Sequence, residues 1–70
     1  MLEECSVIID RLIELRHSRG MTQERLAQAT NLTQSVIARL ESKKVVPTLD
    51  TLLKVTSALN CDVTIAPRTK

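Results

Sequence analysis

The chain has 70 residues, is 43% hydrophobic and 26% charged, and carries a formal net charge of +2. That composition is globular and suits one domain, 1–70, whose core is small enough to gain from a staple or a partner chain. Phe, Tyr and Trp are all absent. Base-stacking recognition of single strands is thereby removed, whereas helix-in-groove reading of duplex DNA is not.

The positive charge is concentrated. Between Arg16 and Lys54 the bases are Arg16, Arg19, Arg25, Arg39, Lys43, Lys44 and Lys54, against Glu24, Glu41 and Asp50. The flanks hold Glu3, Glu4, Asp10, Glu14 and Asp62 against Arg11, Arg68 and Lys70. A central excess suits a polyanionic partner, and an ordinary solvated surface is the alternative. Cys5 and Cys61 lie far apart and His17 is the only histidine, too few ligands for a zinc site, so no metal or cofactor is expected. Two free thiols and no long apolar run imply a reduced, cytoplasmic setting with no membrane partner.

In chain order, a first helix is expected over about Glu3 to Ser18. Acids stand in its first turn, and Arg16 and His17 stand in its last. Cys5, Ile8, Ile9, Leu12 and Leu15 recur at helical spacing as its inward face, with Val7 and Ile13 off that stripe. Gly20 ends it, because glycine takes positive φ at little cost. Thr22 caps a second helix, about Gln23 to Ala29, with Leu26, Ala27 and Met21 inward. Asn31 takes the turn and Leu32 packs back. Thr33 caps a third helix, about Gln34 to Ser42, with Val36, Ile37 and Leu40 on its apolar side. After a loop, Thr48 caps a fourth, about Leu49 to Leu59, which buries Leu49, Leu52, Leu53, Val55 and Leu59. From Cys61 to Ala66 the period changes to two, with Cys61, Val63 and Ile65 alternating with polar or small residues. That pattern predicts a strand with no partner in the chain, so the simplest pairing is with the same strand of a second copy; an irregular tail before Pro67 is the alternative.

Two short helices joined by Thr30 to Thr33 have the spacing of a helix-turn-helix, 22–42, whose second helix enters the major groove. Its outer side carries Gln34, Ser35, Ala38 and Arg39, with Ser42 and Lys43 below. Gln pairs bidentately with adenine and Arg with guanine. The two Thr-Gln openings place free N–H groups and positive dipole ends at Thr22-Gln23 and Thr33-Gln34, natural seats for phosphate. Gln23 is expected to bridge a phosphate and the start of the third helix. A helical bundle with merely wet polar faces is the bland rival.

The stretch from Leu12-Ile13-Glu14-Leu15-Arg16 through MTQERLAQATNLTQSVIARLESKK to PTLDTLLKVTSAL resembles the Xre-like helix-turn-helix family of phage lambda Cro and its repressor relatives. The resemblance covers about residues 8 to 60. It implies an all-α bundle of four to five helices that binds double-stranded DNA. By position, Gln34, Ser35, Ala38 and Arg39 would approach bases, and Thr22, Gln23, Thr33, Lys43 and Lys44 would approach phosphates. It also implies a structural pair between Arg16 and Glu41. The chain departs from the family where Asn31 and Lys43 replace frequent glycines, and where Cys61 to Ala66 stands in place of a fifth helix. That tail is similar to the end of HipB-type antitoxins, where a short strand pairs between subunits.

The resulting expectation is a homodimeric, sequence-specific transcriptional repressor, dimerised through Cys61, Val63 and Ile65. The rival is an antitoxin that holds a protein toxin and represses its own operon. No nucleophile–base constellation or glycine-rich phosphate loop is present, so an enzyme is not expected.

Overall fold

A computed structural model describes residues 1–68. Thr69 and Lys70, which the expected domain also includes, lie outside the described residues. Four helices follow one another: α1 (Glu3–Ser18), α2 (Gln23–Thr30), α3 (Gln34–Glu41) and α4 (Leu49–Ala58). The architecture is all-α, as the residue pattern implied, and the helix limits fall within one residue of expectation.

Sequence punctuates these helices in a repeated way. Thr22, Thr33 and Thr48 each precede a helix with extended backbone, and each hydroxyl accepts a hydrogen bond from the backbone N–H three residues on. One otherwise unpaired donor per helix is thereby satisfied, which contributes about 1 kcal/mol each. Every helix also ends alike. Gly20, Asn31, Lys43 and Asn60 adopt left-handed conformations with φ of 65°, 61°, 63° and 57°. In each case the next residue donates back to a carbonyl five residues earlier: Met21 to Arg16, Leu32 to Ala27, Lys44 to Arg39 and Cys61 to Thr56. These are Schellman closures, which favour an apolar residue just past the helix. Met21, Leu32 and Cys61 fill that role and pack against the core. At Lys43 a side chain is held where glycine would sit more easily.

The core draws on all four helices: Ile9 and Leu12, Leu26 and Ala27, Ile37 and Leu40, then Val55 and Leu59. Burying such side chains stabilises by about 1.5–3 kcal/mol apiece. α2 packs against α3 and α4, while α1 meets α3. The buried hydroxyl of Thr30 donates to the Leu26 and Ala27 carbonyls, and that of Thr56 to the Leu53 carbonyl. No buried side-chain N or O atom lacks a partner among the described residues.

Several side chains expected inside lie elsewhere. Ile8 is 47% exposed: it lines one hollow with Cys5, Val46 and Leu52 and another with Leu15, Leu52 and residues 61–64 of the tail. Ile13, expected off the stripe, packs against the core instead. Leu49 and Leu53 are exposed on the outer side of α4; the core takes Val55, Thr56 and Leu59 from that helix and its cap. Val36 sits at the rim of α3. Residues 61–68 form no helix or strand. Strand structure is defined by pairing, and the single chain offers none.

One polar clamp crosses this apolar interior. The Arg16 guanidinium donates through Nε to Glu41 Oε2 at 2.7 Å and through Nη2 to Oε1 at 2.9 Å. A third donor, Nη1, reaches the Met21 carbonyl at 2.7 Å. Both side chains are only 9% exposed. The fork geometry is the strong, bidentate form of such pairs. Arg16→Ala leaves the Glu41 carboxylate buried without its cation. Loss of about 3–5 kcal/mol of stability is expected. Chemical denaturation measures it; an unchanged midpoint would contradict the clamp's role.

Candidate nucleic-acid interface

α3 has eight residues and two sides. Ile37 and Leu40 are buried, and they hold one side against the core. Gln34, Ser35 and Arg39 emerge on the other side and are exposed, with the half-buried methyl of Ala38 between them. The spacing 35, 38, 39, 42 is the i, i+3, i+4, i+7 pattern that lines up side chains along one helical strip. Gln34 joins the strip four residues before Ala38, and the small residue at 38 keeps it low, so that Gln34 and Arg39 are its tallest groups.

Charge pairing separates the basic residues. Arg16 is committed to Glu41, Lys54 pairs with Asp50 at 3.1 Å, and Arg11 pairs with Glu14 at 3.5 Å. Lys43 Nζ lies 2.8 Å from Asp10 on α1. Arg25, Arg39 and Lys44 form no ion pair among the described residues. Arg39 thus presents a whole guanidinium fork, five donors wide, from the middle of the strip.

The threonine hydroxyls named as phosphate groups already serve as caps. Thr22 Oγ1 accepts from the Arg25 N–H at 3.0 Å, and Thr33 Oγ1 accepts from the Val36 N–H at 3.2 Å. Each hydroxyl keeps its own proton for an external acceptor. Both helix starts leave their first backbone N–H groups without intrahelical partners. Glu24 stands in the first turn of α2, whereas α3 has no acid in its first turn. The α3 start is the more hospitable of the two to an anion.

Gln23 is placed differently from expectation. Its Nε2 donates to Glu41 Oε1 at 3.0 Å, so it ties the start of α2 to the end of α3 and not to its beginning. That bond uses one of its two N–H donors. Gln23 is therefore part of the Arg16–Glu41 network. Lys43 also has a claim on it that spacing did not reveal, since Asp10 lies 33 positions earlier. Local sequence around Asp10 carries no signal of that contact.

The expected interface residues of the tail divide. Cys61 turns toward its own chain: it packs against the core, and its Sγ lies 3.9 Å from Arg19 Nη2. Val63 and Ile65 are 47% and 99% exposed, and Val63 also lines the hollow between α1, α4 and the tail. Sequence reasoning also passed over Arg19 and Arg25, which with Gly20, Met21 and Thr22 line a shallow depression at the start of α2. Their signal was present only as central charge. Among the described residues no group of His, Cys, Asp and Glu can hold a metal ion, and no helix is long and apolar enough to cross a membrane.

The profile of a family described as Helix-turn-helix matches residues 12–65. HTH-type transcriptional regulator PuuR of Escherichia coli K12 is 43% identical over 44 residues, which are 63% of this chain and 24% of that protein. PuuR of Shigella flexneri matches to the same extent. An HTH-type transcriptional regulator of Haemophilus influenzae is 35% identical over 60 residues, 86% of this chain and 61% of that one. The chain thus spans about a quarter of PuuR and about three fifths of the Haemophilus protein. No solved structure matches the chain significantly.

Proposed function

Because the chain belongs to the Xre/Cro-like helix-turn-helix family, we propose that it is a DNA-binding transcriptional regulator: a homodimeric repressor that lays α3 in the major groove of a palindromic operator. The observation that carries this reading is the two-sided construction of α3. Ile37 and Leu40 seat it on the core from below, and the Gln34–Ser35–Ala38–Arg39 strip stands outward with an Arg39 guanidinium that forms no ion pair among the described residues. Arg39 reads guanine through its bidentate fork, Gln34 reads adenine, and the Ala38 methyl and Ser35 hydroxyl fit the remaining groove floor.

Positioning comes from the backbone. The free N–H groups at the start of α3, the hydroxyl protons of Thr33 and Thr22, the second N–H of Gln23 and the ammonium of Lys44 are the phosphate donors. These contacts set register and orientation and carry no sequence information. Discrimination rests on the strip.

Dimerisation places two copies of α3 about 34 Å apart, one helical turn of DNA. The tail supplies the contact. Val63 and Ile65 are exposed apolar side chains with alternating spacing, beside an open groove lined by Ile8, Leu15 and Leu52. Pairing of the two tails across a two-fold axis satisfies their backbone groups and covers those side chains in one step. Since Cys61 is engaged by its own core, the interface falls to Val63 and Ile65.

Two substitutions test the reading separately. Arg39→Ala costs about 1–3 kcal/mol of affinity on the best operator and far less on random duplex. Titration of both duplexes by fluorescence anisotropy decides it, and equal losses would remove Arg39 from base reading. Val63→Asp converts the dimer to monomer in light scattering at matched concentration; an intact dimer would place the interface elsewhere.

A further inference from the structure

We propose that Asp10 is an intramolecular competitor for DNA phosphate, holding the ammonium of Lys43 and thereby setting the affinity of the interface below what its lysines alone would give. The inference rests on the DNA-binding reading of α3 and adds a regulating residue that lies outside the helix-turn-helix unit. Lys43 follows directly on the α3 strip. Its backbone is fixed: φ is 63°, its N–H donates to the Leu40 carbonyl at 3.1 Å, and the next N–H donates to Arg39 at 3.1 Å. A lysine rooted there can swing only its side chain. That side chain ends 2.8 Å from Asp10 Oδ1, across from α1.

The pair differs from the chain's other exposed ion pairs. Arg11–Glu14 and Lys54–Asp50 lie within single helices, three and four residues apart. Asp10–Lys43 spans two elements and faces solvent, with side chains 57% and 33% exposed. An exposed pair of this kind is weak, so it contributes little to holding α1 on α3, a task that Arg16 and Glu41 already perform. Its consequence lies in the field presented to a ligand. The counterions whose release drives binding are cations condensed on the DNA phosphates, and a lysine held by a carboxylate neutralises no phosphate and so releases none. If Lys43 leaves Asp10 for a phosphate, the carboxylate remains beside the duplex backbone and repels it. Either way Asp10 lowers affinity, and it does so without regard to base sequence.

The test uses a fluorescently labelled duplex of random sequence, titrated by anisotropy over a range of salt with the full chain. Proteins are the wild type, Asp10→Asn, Lys43→Ala, the double variant and Asp10→Glu. Asp10→Asn binds tighter by roughly two- to fivefold at low salt. Its salt dependence steepens by about 0.9, one phosphate contact. Lys43→Ala costs little in the wild type and substantially more in the Asp10→Asn background; Asp10→Glu behaves as wild type. Thermal melts that agree between wild type and Asp10→Asn assign the change to the interface and not to folding. Asp10→Asn binding no tighter than wild type overturns the inference, as does a Lys43→Ala loss that is equal in both backgrounds. Absence of duplex binding by every folded variant overturns the DNA-binding reading itself, a different result from binding that is indifferent to Asp10.

Discussion

The orientation of α3 depends on one buried ion pair. With eight residues and two core side chains, Ile37 and Leu40, the helix has little apolar surface to resist rotation about its own axis. Arg16 supplies the resistance. Its two parallel bonds to Glu41 fix the last turn of α3 against the last turn of α1, and its third donor fixes the Met21 carbonyl in the connection to α2. Gln23 closes the arrangement from the start of α2. The end of α1, the start of α2 and the end of α3 thus meet at one carboxylate. Desolvating such a pair costs several kcal/mol, much of which the added hydrogen bonds offset. What the pair adds is a directional tie, a bidentate fork between the ends of α1 and α3.

Around that clamp the fold is built from repeated local devices. Threonine opens α2, α3 and α4, and a left-handed residue followed by a backward hydrogen bond closes all four helices. Because the closing bond brings the next residue inward, Met21, Leu32 and Cys61 become core packing and end marks at once. Short helices become affordable through these caps, since each satisfies backbone groups that an eight-residue helix has in large proportion. The remaining surface is asymmetric. The polar strip of α3 lies on one part of the bundle, while exposed Ile8 and Val63 lie along the groove that borders α1, α4 and the tail.

Much of this was legible in the residues. Helix limits followed from Thr22, Thr33, Thr48, Gly20 and Asn31, whose conformational preferences act within a few positions. The outward strip of α3 followed from periodicity, since Gln34, Ser35 and Arg39 alternate with Ile37 and Leu40. Contacts between elements were harder. Arg16 with Glu41 came from resemblance and not from spacing, and Gln23 was assigned to the wrong end of α3. The Asp10–Lys43 pair joins positions far apart in sequence, where no local rule operates. Periodicity also overcounted the core: it marks Ile8, Leu49 and Leu53 as apolar positions but cannot tell a covered face from an open one. The tail shows the same limit: Cys61, Val63 and Ile65 alternate as a strand would, yet residues 61–68 form no helix or strand.

The most direct test of the central claim, that the outer side of α3 reads duplex DNA, is selection from a random duplex library in moderate salt. The Gln34→Ala/Arg39→Ala double variant serves as the control. An enriched palindrome that the double variant fails to enrich is the predicted result, with half-sites about 34 Å apart. No enrichment by folded protein, or the same enrichment by the double variant, would contradict the account.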